Sequence, residues 1–249
     1  MNRILFLLLG AALGQTATAQ SARELPGSLQ VVLENTGPVS SPLNGRLPLF
    51  VLPISGALSA LPLGQAEKVL DDLAKRGIGY SVNWNHGSFE ASLKEGLRIG
   101  KLQQRLGRMV SVHATGCLYS FFDGTEKTQH IDADGRPFGE TSFGGTMGCP
   151  FALEHRIPVI QQRVGAFLKQ YKAAGVDVDF IFADWEIDGP IEWNDAWASS
   201  KRCRRCREHV PDIDDFRIFQ AKLRAIRSKL QRIAFGDNVT RYFPEALVG

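Results

Sequence analysis

Residues 178–193 read VDFIFADWEIDGPIEW, and this stretch predicts the fold. Residues 180–183 are apolar on both faces, which is typical of a strand that is covered on both sides in a parallel α/β sheet. The chain then becomes acidic, with Asp184, Glu186 and Asp188 in close succession. Because ligands in such folds bind just beyond the carboxyl ends of the strands, we expect these carboxylates to lie at a functional site.

The alternation of a β-strand places Phe182, Asp184 and Glu186 on one face and Trp185 on the other. Two carboxylates that are two residues apart on one strand are separated by roughly 6.5–7 Å at the backbone. That distance suits a paired acid and base, so we interpret Asp184 and Glu186 as the candidate catalytic pair. Acidic residues after a strand can also cap the next helix or accept hydrogen bonds from loop N–H groups, and this structural role stays open as the alternative.

Similar units of strand and helix precede this stretch, and a further helix follows it. Apolar runs predict strands over 47–55, 78–84 and 109–114. Apolar residues at helical spacing predict helices over 64–76, 89–106, 158–174 and 214–233. Long loops follow the third and fourth strands, and residues 236–249 hold at most the start of a fifth strand.

Four successive units imply right-handed crossovers and a parallel sheet, so the predicted fold class is α/β. A (β/α)8 TIM barrel and an open doubly wound sheet both fit this pattern. The turn into the first helix lacks the G-x-G-x-x-G pattern, and polar residues and long loops recur at the strand ends, which favours the barrel. Because about four units are present, we expect residues 47–249 to form the N-terminal half of a C-terminally truncated (β/α)8 barrel.

The beginning of the chain has the pattern of an export signal. Arg3 precedes a short apolar run over 4–13 and a small-residue cleavage motif, so we interpret residues 1–19 as a signal peptide. Residues 20–46 then read as an extended N-terminal segment. We expect a secreted or periplasmic protein without a membrane span. The formal net charge of +3 gives no indication of a nucleic-acid partner.

Amide, imidazole and indole side chains surround the acidic stretch in the predicted sheet. The strand ends and the following loop supply these candidate substrate contacts: Asn85, His86, His113, Asp188 and Trp193. Such polar groups bind sugar hydroxyls, and aromatic rings pack on the apolar faces of sugars. Because glycosidic cleavage needs a carboxylic acid that protonates the leaving oxygen, we expect a poly- or oligosaccharide substrate, with Glu186 as the acid, Asp184 as its partner and no cofactor.

The DWE ending of this strand resembles the fourth strand of glycoside hydrolases, especially the family-18 chitinases with their D-x-x-D-x-D-x-E motif. Aligned on Glu186, the chain supplies Asp179, Asp184 and Glu186, and Phe182 stands where that family has its middle aspartate. The resemblance implies a TIM barrel in which Glu186 is the general acid and Asp184 orients an N-acetyl group of the substrate. It covers about a dozen residues.

Four cysteines are the other unusual feature, and all follow the third and fourth strands. In an exported protein, Cys117, Cys149, Cys203 and Cys206 indicate disulfide bonds, with three possible pairings. A zinc ion held by these four thiolates is the alternative. Either arrangement would brace two loops over the proposed site. Residues 201–207 contain five basic side chains, which indicate either a solvated loop or the binding of an anionic glycan.

These patterns leave two further functions open beside the glycosidase. One is a glycan-binding or cell-surface module that uses the same scaffold without catalysis. The other is a metal-dependent hydrolase that uses His86, His113 and Asp184, although the chain has no local H-x-H or H-E-x-x-H spacing.

Overall fold

The computed structural model describes residues 25, 27–39, 47–51, 58–118, 121–142, 145–183 and 196–249. The expected signal peptide over 1–19 lies outside these residues. In chain order the helices are α1 (Gly27–Asn35), α2 (Leu63–Lys75), α3 (Phe89–Arg105), α4 (Thr115–Leu118), α5 (Ile157–Ala173), α6 (Ala196–Arg202), α7 (Arg204–His209), α8 (Phe216–Gln231) and α9 (Asp237–Tyr242). A π-helical turn, Arg232–Gly236, joins the last two.

The strands of the main sheet alternate with these helices, as the sequence predicts. In chain order the strands are β1 (Leu49–Val51), β2 (Ile78–Asn85), β3 (Ser111–Ala114), β4 (His130–Ile131), β5 (Pro137–Phe138), β6 (Glu140–Ser142), β7 (Gly145–Met147), β8 (Phe180–Phe182) and β9 (Leu247–Val248). The central sheet has the order β1-β2-β3-β8-β9, and each neighbouring pair is parallel. The α/β class with a parallel sheet is therefore confirmed.

The loop between β3 and α5 contains two small antiparallel pairs, β4 with β5 and β6 with β7. The turn between β4 and β5 contains Gly135, whose φ of +83° is a conformation that glycine adopts without steric cost. The Asp132 side chain accepts hydrogen bonds from the backbone N–H groups of Asp134 and Arg136 and fixes this turn. The hairpin expected at Asp134-Gly135 is therefore confirmed.

Alternation along β2 divides the sheet into two different faces. Tyr80, Val82 and Trp84 are buried and join one apolar core with residues of α2, α3, α5 and α9. Trp84 stacks on Phe167 of α5 with ring centroids 4.9 Å apart and meets Tyr171 edge-on at the same distance. The helices of the described chain therefore cover this face through their apolar stripes.

The opposite face of the sheet carries a stack of three phenylalanines. Phe50 of β1 lies 4.9 Å from Phe180 of β8, and Phe180 lies 5.3 Å from Phe182, between ring centroids. All three rings are half-buried and belong to neither buried core. Gly79 faces Phe50, and a Cβ atom there would lie within 2.6 Å of the ring. The Phe50 ring therefore occupies the space above Gly79 on this face.

The N-terminal segment differs from the expected extended chain, because residues 27–35 form the helix α1. Leu29 is fully buried in the main core, and Val32 and Leu33 pack against it. Their spacing of three and four residues is that of a helix face, and it brings them onto the core together. Arg76 fixes the end of this helix by donating to the carbonyl oxygens of Leu33 and Thr36.

The two edges of the described sheet are β1 and β9, so the sheet is open and a closed barrel is not seen. The expected fifth strand is present as β9, which pairs with β8. Gly249 donates its N–H to the carbonyl of Ile181 and accepts a hydrogen bond from Ala183. Across the described residues, every helix is too short or too polar to cross a membrane.

The contact between α3 and α5 predicts a large effect for Gly96→Ala. A Cβ atom at Gly96 would lie 3.2 Å from Cζ of the buried Tyr171 and closer still to its hydroxyl oxygen. Overpacking of this kind costs about 1–3 kcal/mol, so we expect the free energy of unfolding in denaturant titrations to fall by that amount. Gly64→Ala is the matched control, since its Cβ would meet no atom within 4 Å. Unchanged stability of Gly96→Ala would contradict this packing.

Candidate functional site

The carboxyl ends of β2, β3 and β8 bring Asn83, His113 and Phe182 into register on one face of the sheet. His113 Nδ1 lies 3.1 Å from Asn83 Oδ1, and His113 Nε2 lies 2.5 Å from the Thr115 hydroxyl. The ring of Phe182 lies 5.0 Å from the His113 ring. Because Oδ1 is an acceptor, the Asn83 contact favours the His113 tautomer that carries its proton on Nδ1. The predicted site residue His113 is therefore held in a fixed orientation at this edge.

Asn85, a predicted substrate contact, also has a structural role at the end of β2. Its side-chain oxygen accepts a hydrogen bond of 2.8 Å from the N–H of Gly87 and caps the short turn His86–Ser88. Asn83, two residues earlier, is the exposed amide beside His113. A cleft of about 260 Å³ opens next to both amides, and its lining includes Ser92 and Glu95 of α3. The structure thus adds Asn83 and Thr115 to the polar residues of this edge.

His86 follows Asn85 at the same edge and is exposed. Desolvation by the surrounding protein, followed by the positive charge of Arg163 on α5, lowers the pKa of His86 below its ordinary value. The neutral imidazole, which has one donor and one acceptor nitrogen, is therefore favoured. His86 lies outside the metal-ligand group described below, and so does His113.

Strand β8 leads directly into the proposed catalytic residues, which lie outside the described part of the chain. Asp184 follows Ala183 in the sequence, and Glu186, Asp188 and Trp193 come after it. The described chain resumes at α6, where Trp197 donates its indole N–H to the carbonyl of Ile213 at 2.8 Å. Trp197 also meets Phe216 at the start of α8, so it anchors the loop to α8.

Three of the four cysteines lie together with a histidine that the sequence analysis did not single out. The ligand atoms of His130, Cys149, Cys203 and Cys206 all lie within 4.8 Å of one another, and all four side chains are buried. Cys149 Sγ is 3.5 Å from Cys206 Sγ, which in turn is 3.8 Å from His130 Nδ1. None of the four cysteines is disulfide-bonded in the structure.

Cys117 does not take part in this group, so the expected ligand set changes by one residue. The thiol of Cys117 donates to the carbonyl of Trp84 at 3.8 Å, beside α4 and the end of β2. Burial raises the pKa of Cys117 to about 12, which leaves an inert thiol at neutral pH. His130 takes the fourth position because it lies in β4, and β4 packs against α7. Cys203 directly precedes α7, and Cys206 lies within it. His130, Cys149, Cys203 and Cys206 therefore bring the two loops into contact.

Within the group, the thiols have opposite tendencies to ionise. Hydrogen bonds from Cys149 and Cys206 lower the pKa of Cys203. The pKa of Cys206 is raised by its hydrogen bonds with Cys149 and Cys203 and by burial. A backbone hydrogen bond from Ile131 also favours the thiolate of Cys203.

Several basic side chains of residues 201–207 have partners within the protein. Arg205 donates to the carbonyl oxygens of Lys127 and Gln129, close to β4. Arg202 lies 4.6 Å from the ring centroid of Phe138, and Lys201 lies 4.0 Å from that of Trp197. These contacts stabilise the loop.

Comparison with known proteins gives no relative. No family model, curated protein or solved structure matches the chain.

The environment of His86 predicts the effect of a single charge change. Removing the nearby positive charge with Arg163→Gln favours the imidazolium, so the pKa of His86 rises toward 6.5. The measurement is an NMR titration of the histidine ring protons. Because the folded state lowers this pKa, the contribution of His86 to stability is present above about pH 6.5 and is lost as the pH falls.

Lys169→Gln is the matched control for this charge change, because Lys169 is an exposed cation on the same helix, α5. We expect it to leave the pKa of His86 unchanged. An equal shift in both variants, or none in Arg163→Gln, would show that Arg163 does not act on His86.

Proposed function

We propose that the protein is a glycoside hydrolase-like enzyme that cleaves a poly- or oligosaccharide at the carboxyl edge of its parallel sheet. One observation carries the proposal. The fixed pair of Asn83 and His113 lies against Phe182, and the chain continues from Phe182 into Asp184 and Glu186. Oriented amide and imidazole groups, followed in the chain by two carboxylates, form a set of residue types that suits sugar hydroxyls and acid catalysis.

The strand order supports a barrel scaffold for this site. A doubly wound sheet reverses its strand order at a switch point, where its ligand binds. The described strands of the main sheet instead follow each other in chain order, as the strands of a (β/α)8 barrel do. The helices cover one face, and the other carries stacked rings and small residues of the kind that fill a barrel interior. We therefore propose that this sheet is part of a (β/α)8 barrel.

In the proposed mechanism, Glu186 donates a proton to the oxygen of the leaving sugar. Asp184, two residues earlier in the chain, would stabilise the positive charge that develops at the anomeric carbon or orient a substrate group toward it. Burial and the like charge of Asp184 and Asp188 would raise the pKa of Glu186 and keep it protonated. Asn83, His86 and His113 would bind hydroxyl groups, and Trp193 would pack on an apolar sugar face.

Glu186→Gln tests the acid directly. We expect a loss of kcat of roughly 100- to 10,000-fold, because glutamine binds the same oxygen but cannot donate a carboxylic proton. The measurement is hydrolysis of a panel of neutral and anionic polysaccharides and aryl glycosides by the full-length protein. Full activity in this variant would refute the role of Glu186.

Asp177→Asn is the matched control, since Asp177 is an exposed carboxylate near the opposite end of the same strand, 3.3 Å from Lys172. It should retain full activity. Saturable sugar binding without turnover, unchanged in Glu186→Gln, would instead support a glycan-binding module. Activity that is lost with a chelator and restored by a divalent metal would support the metal-dependent hydrolase.

The Asn83–His113 pair predicts a separate effect on substrate binding. His113→Ala removes a hydrogen-bonding group, so we expect KM to rise about 2- to 10-fold while kcat changes little. His155→Ala removes an exposed histidine ahead of α5 and should leave KM unchanged. A kcat that falls as far as in Glu186→Gln would show that His113 takes part in the chemistry rather than in binding.

A further inference from the structure

We propose that His130, Cys149, Cys203 and Cys206 bind one structural zinc ion, and this proposal does not depend on the glycosidase. Zinc at a tetrahedral site lies about 2.3 Å from sulfur and 2.0–2.1 Å from a histidine nitrogen, so neighbouring ligand atoms are about 3.5–3.8 Å apart. The two separations of Cys206 Sγ, 3.5 Å to Cys149 Sγ and 3.8 Å to His130 Nδ1, match the edges of that tetrahedron. All four ligand atoms lie within 4.8 Å of each other.

A disulfide explains this arrangement less well than zinc does. Sulfur atoms in a disulfide are about 2.05 Å apart, whereas Cys149 and Cys206 are separated by 3.5 Å. A disulfide would also use two of the three thiols and leave the third with His130 in a buried pocket. One zinc ion satisfies all four groups together, and three thiolates with one imidazole form a ligand set that selects zinc.

The burial of the group assigns it a structural rather than a catalytic role. His130 is 1% exposed and the three cysteines are fully buried, so no side of the tetrahedron is open to water or substrate. Closed four-ligand sites of this kind are structural, and catalytic zinc sites keep an open position. The ring of His130 stacks on Phe138 at 5.1 Å, and this contact holds the ring orientation.

The basic residues near the group complement the net negative charge of the proposed zinc site. Zinc with three thiolates and a neutral imidazole carries one net negative charge, and residues 201–207 contain five basic side chains around two of the ligands. Arg205, between Cys203 and Cys206, donates to the carbonyls of Lys127 and Gln129 just before His130. The basic run that could have indicated an anionic glycan is thus accounted for by the metal group and its loop contacts.

The proposed zinc ion joins two loops that are far apart in the sequence. His130 and Cys149 belong to the loop between β3 and α5, and Cys203 and Cys206 follow α6 in the loop between β8 and α8. The apolar cluster around them is small, and its buried members besides the cysteines are Val210, Ile213, Phe219 and Leu223. In such a small cluster a metal contributes folding energy that apolar burial alone does not supply.

Metal content and thiol content of the purified full-length protein test the proposal together. We expect one equivalent of zinc per chain by elemental analysis. We also expect all 4 cysteines to be alkylated after denaturation without a reductant. Zinc-free protein with a disulfide between any two of the cluster cysteines would overturn the proposal, and so would a different native metal.

Cysteine variants distinguish the site from adventitious zinc. Cys206→Ser and Cys149→Ser should lose the bound zinc, whereas Cys117→Ser, which changes an equally buried thiol outside the cluster, should keep one equivalent. Equal zinc loss in all three variants, or zinc retention in all three, would refute the assignment.

Because Cys206→Ser and Cys149→Ser can unfold, His130→Cys provides a second test. It should keep one equivalent, and its cobalt-substituted form should show the visible absorption of a tetrahedral thiolate site. Absence of that absorption in both the parent and this variant would also overturn the proposal.

Discussion

The parallel arrangement of the five strands is the constraint on which the rest of the molecule depends. Two parallel strands cannot be joined by a tight turn, so each connection must cross back over the sheet. The helices of the crossovers then cover one face, where Trp84 packs on Phe167 and Tyr171. Every loop that leaves the carboxyl end of a strand emerges at the same edge. Residues that are far apart in the sequence, such as Asn83 and His113, thereby become neighbours.

The same constraint explains why two long loops can share a set of ligands. The loop after β3 and the loop after β8 leave adjacent parallel strands, so they begin side by side. Each loop alone has little apolar surface to bury, and their common cluster has few members. A contact between buried thiols and an imidazole is therefore well placed to determine how the two loops pack. His130 and Cys206 make that contact across the loops.

Much of the fold could be predicted from the sequence, because apolar periodicity reports directly on burial. The order of the main strands, the helices α2, α3, α5 and α8, and the hairpin at Asp134-Gly135 all follow from local pattern. Helix α1 was missed because its short apolar face, around Leu29, lies among residues that also suit an extended chain. The boundaries of the open sheet could not be predicted, since they depend on contacts between distant parts of the chain.

The site could be predicted less well, because its residues are selected by three-dimensional packing. Asn83 and Asn85 lie on the same face of β2, and only the turn after the strand determines that Asn85 caps Gly87 while Asn83 meets His113. Cys117 and His130 show the same limit of prediction from the sequence. Spacing groups Cys117 with the other cysteines, yet its position directly after β3 directs its thiol to Trp84. The useful signal for His130 was its place before the hairpin turn in the cysteine-bracketed loop.

The segment with the proposed catalytic carboxylates connects two parts of the molecule that are fixed for different reasons. At one end, Ala183 is held by its hydrogen bond to Gly249 at the edge of the parallel sheet. At the other end, α6 leads directly into Cys203 of the buried ligand group. A catalytic acid must keep its position relative to the groups that bind the substrate, and displacements of about 1 Å can cost 100-fold in rate. The described chain is thus held on both sides of the proposed catalytic residues, by the sheet at Ala183 and by the cysteine–histidine group after α6.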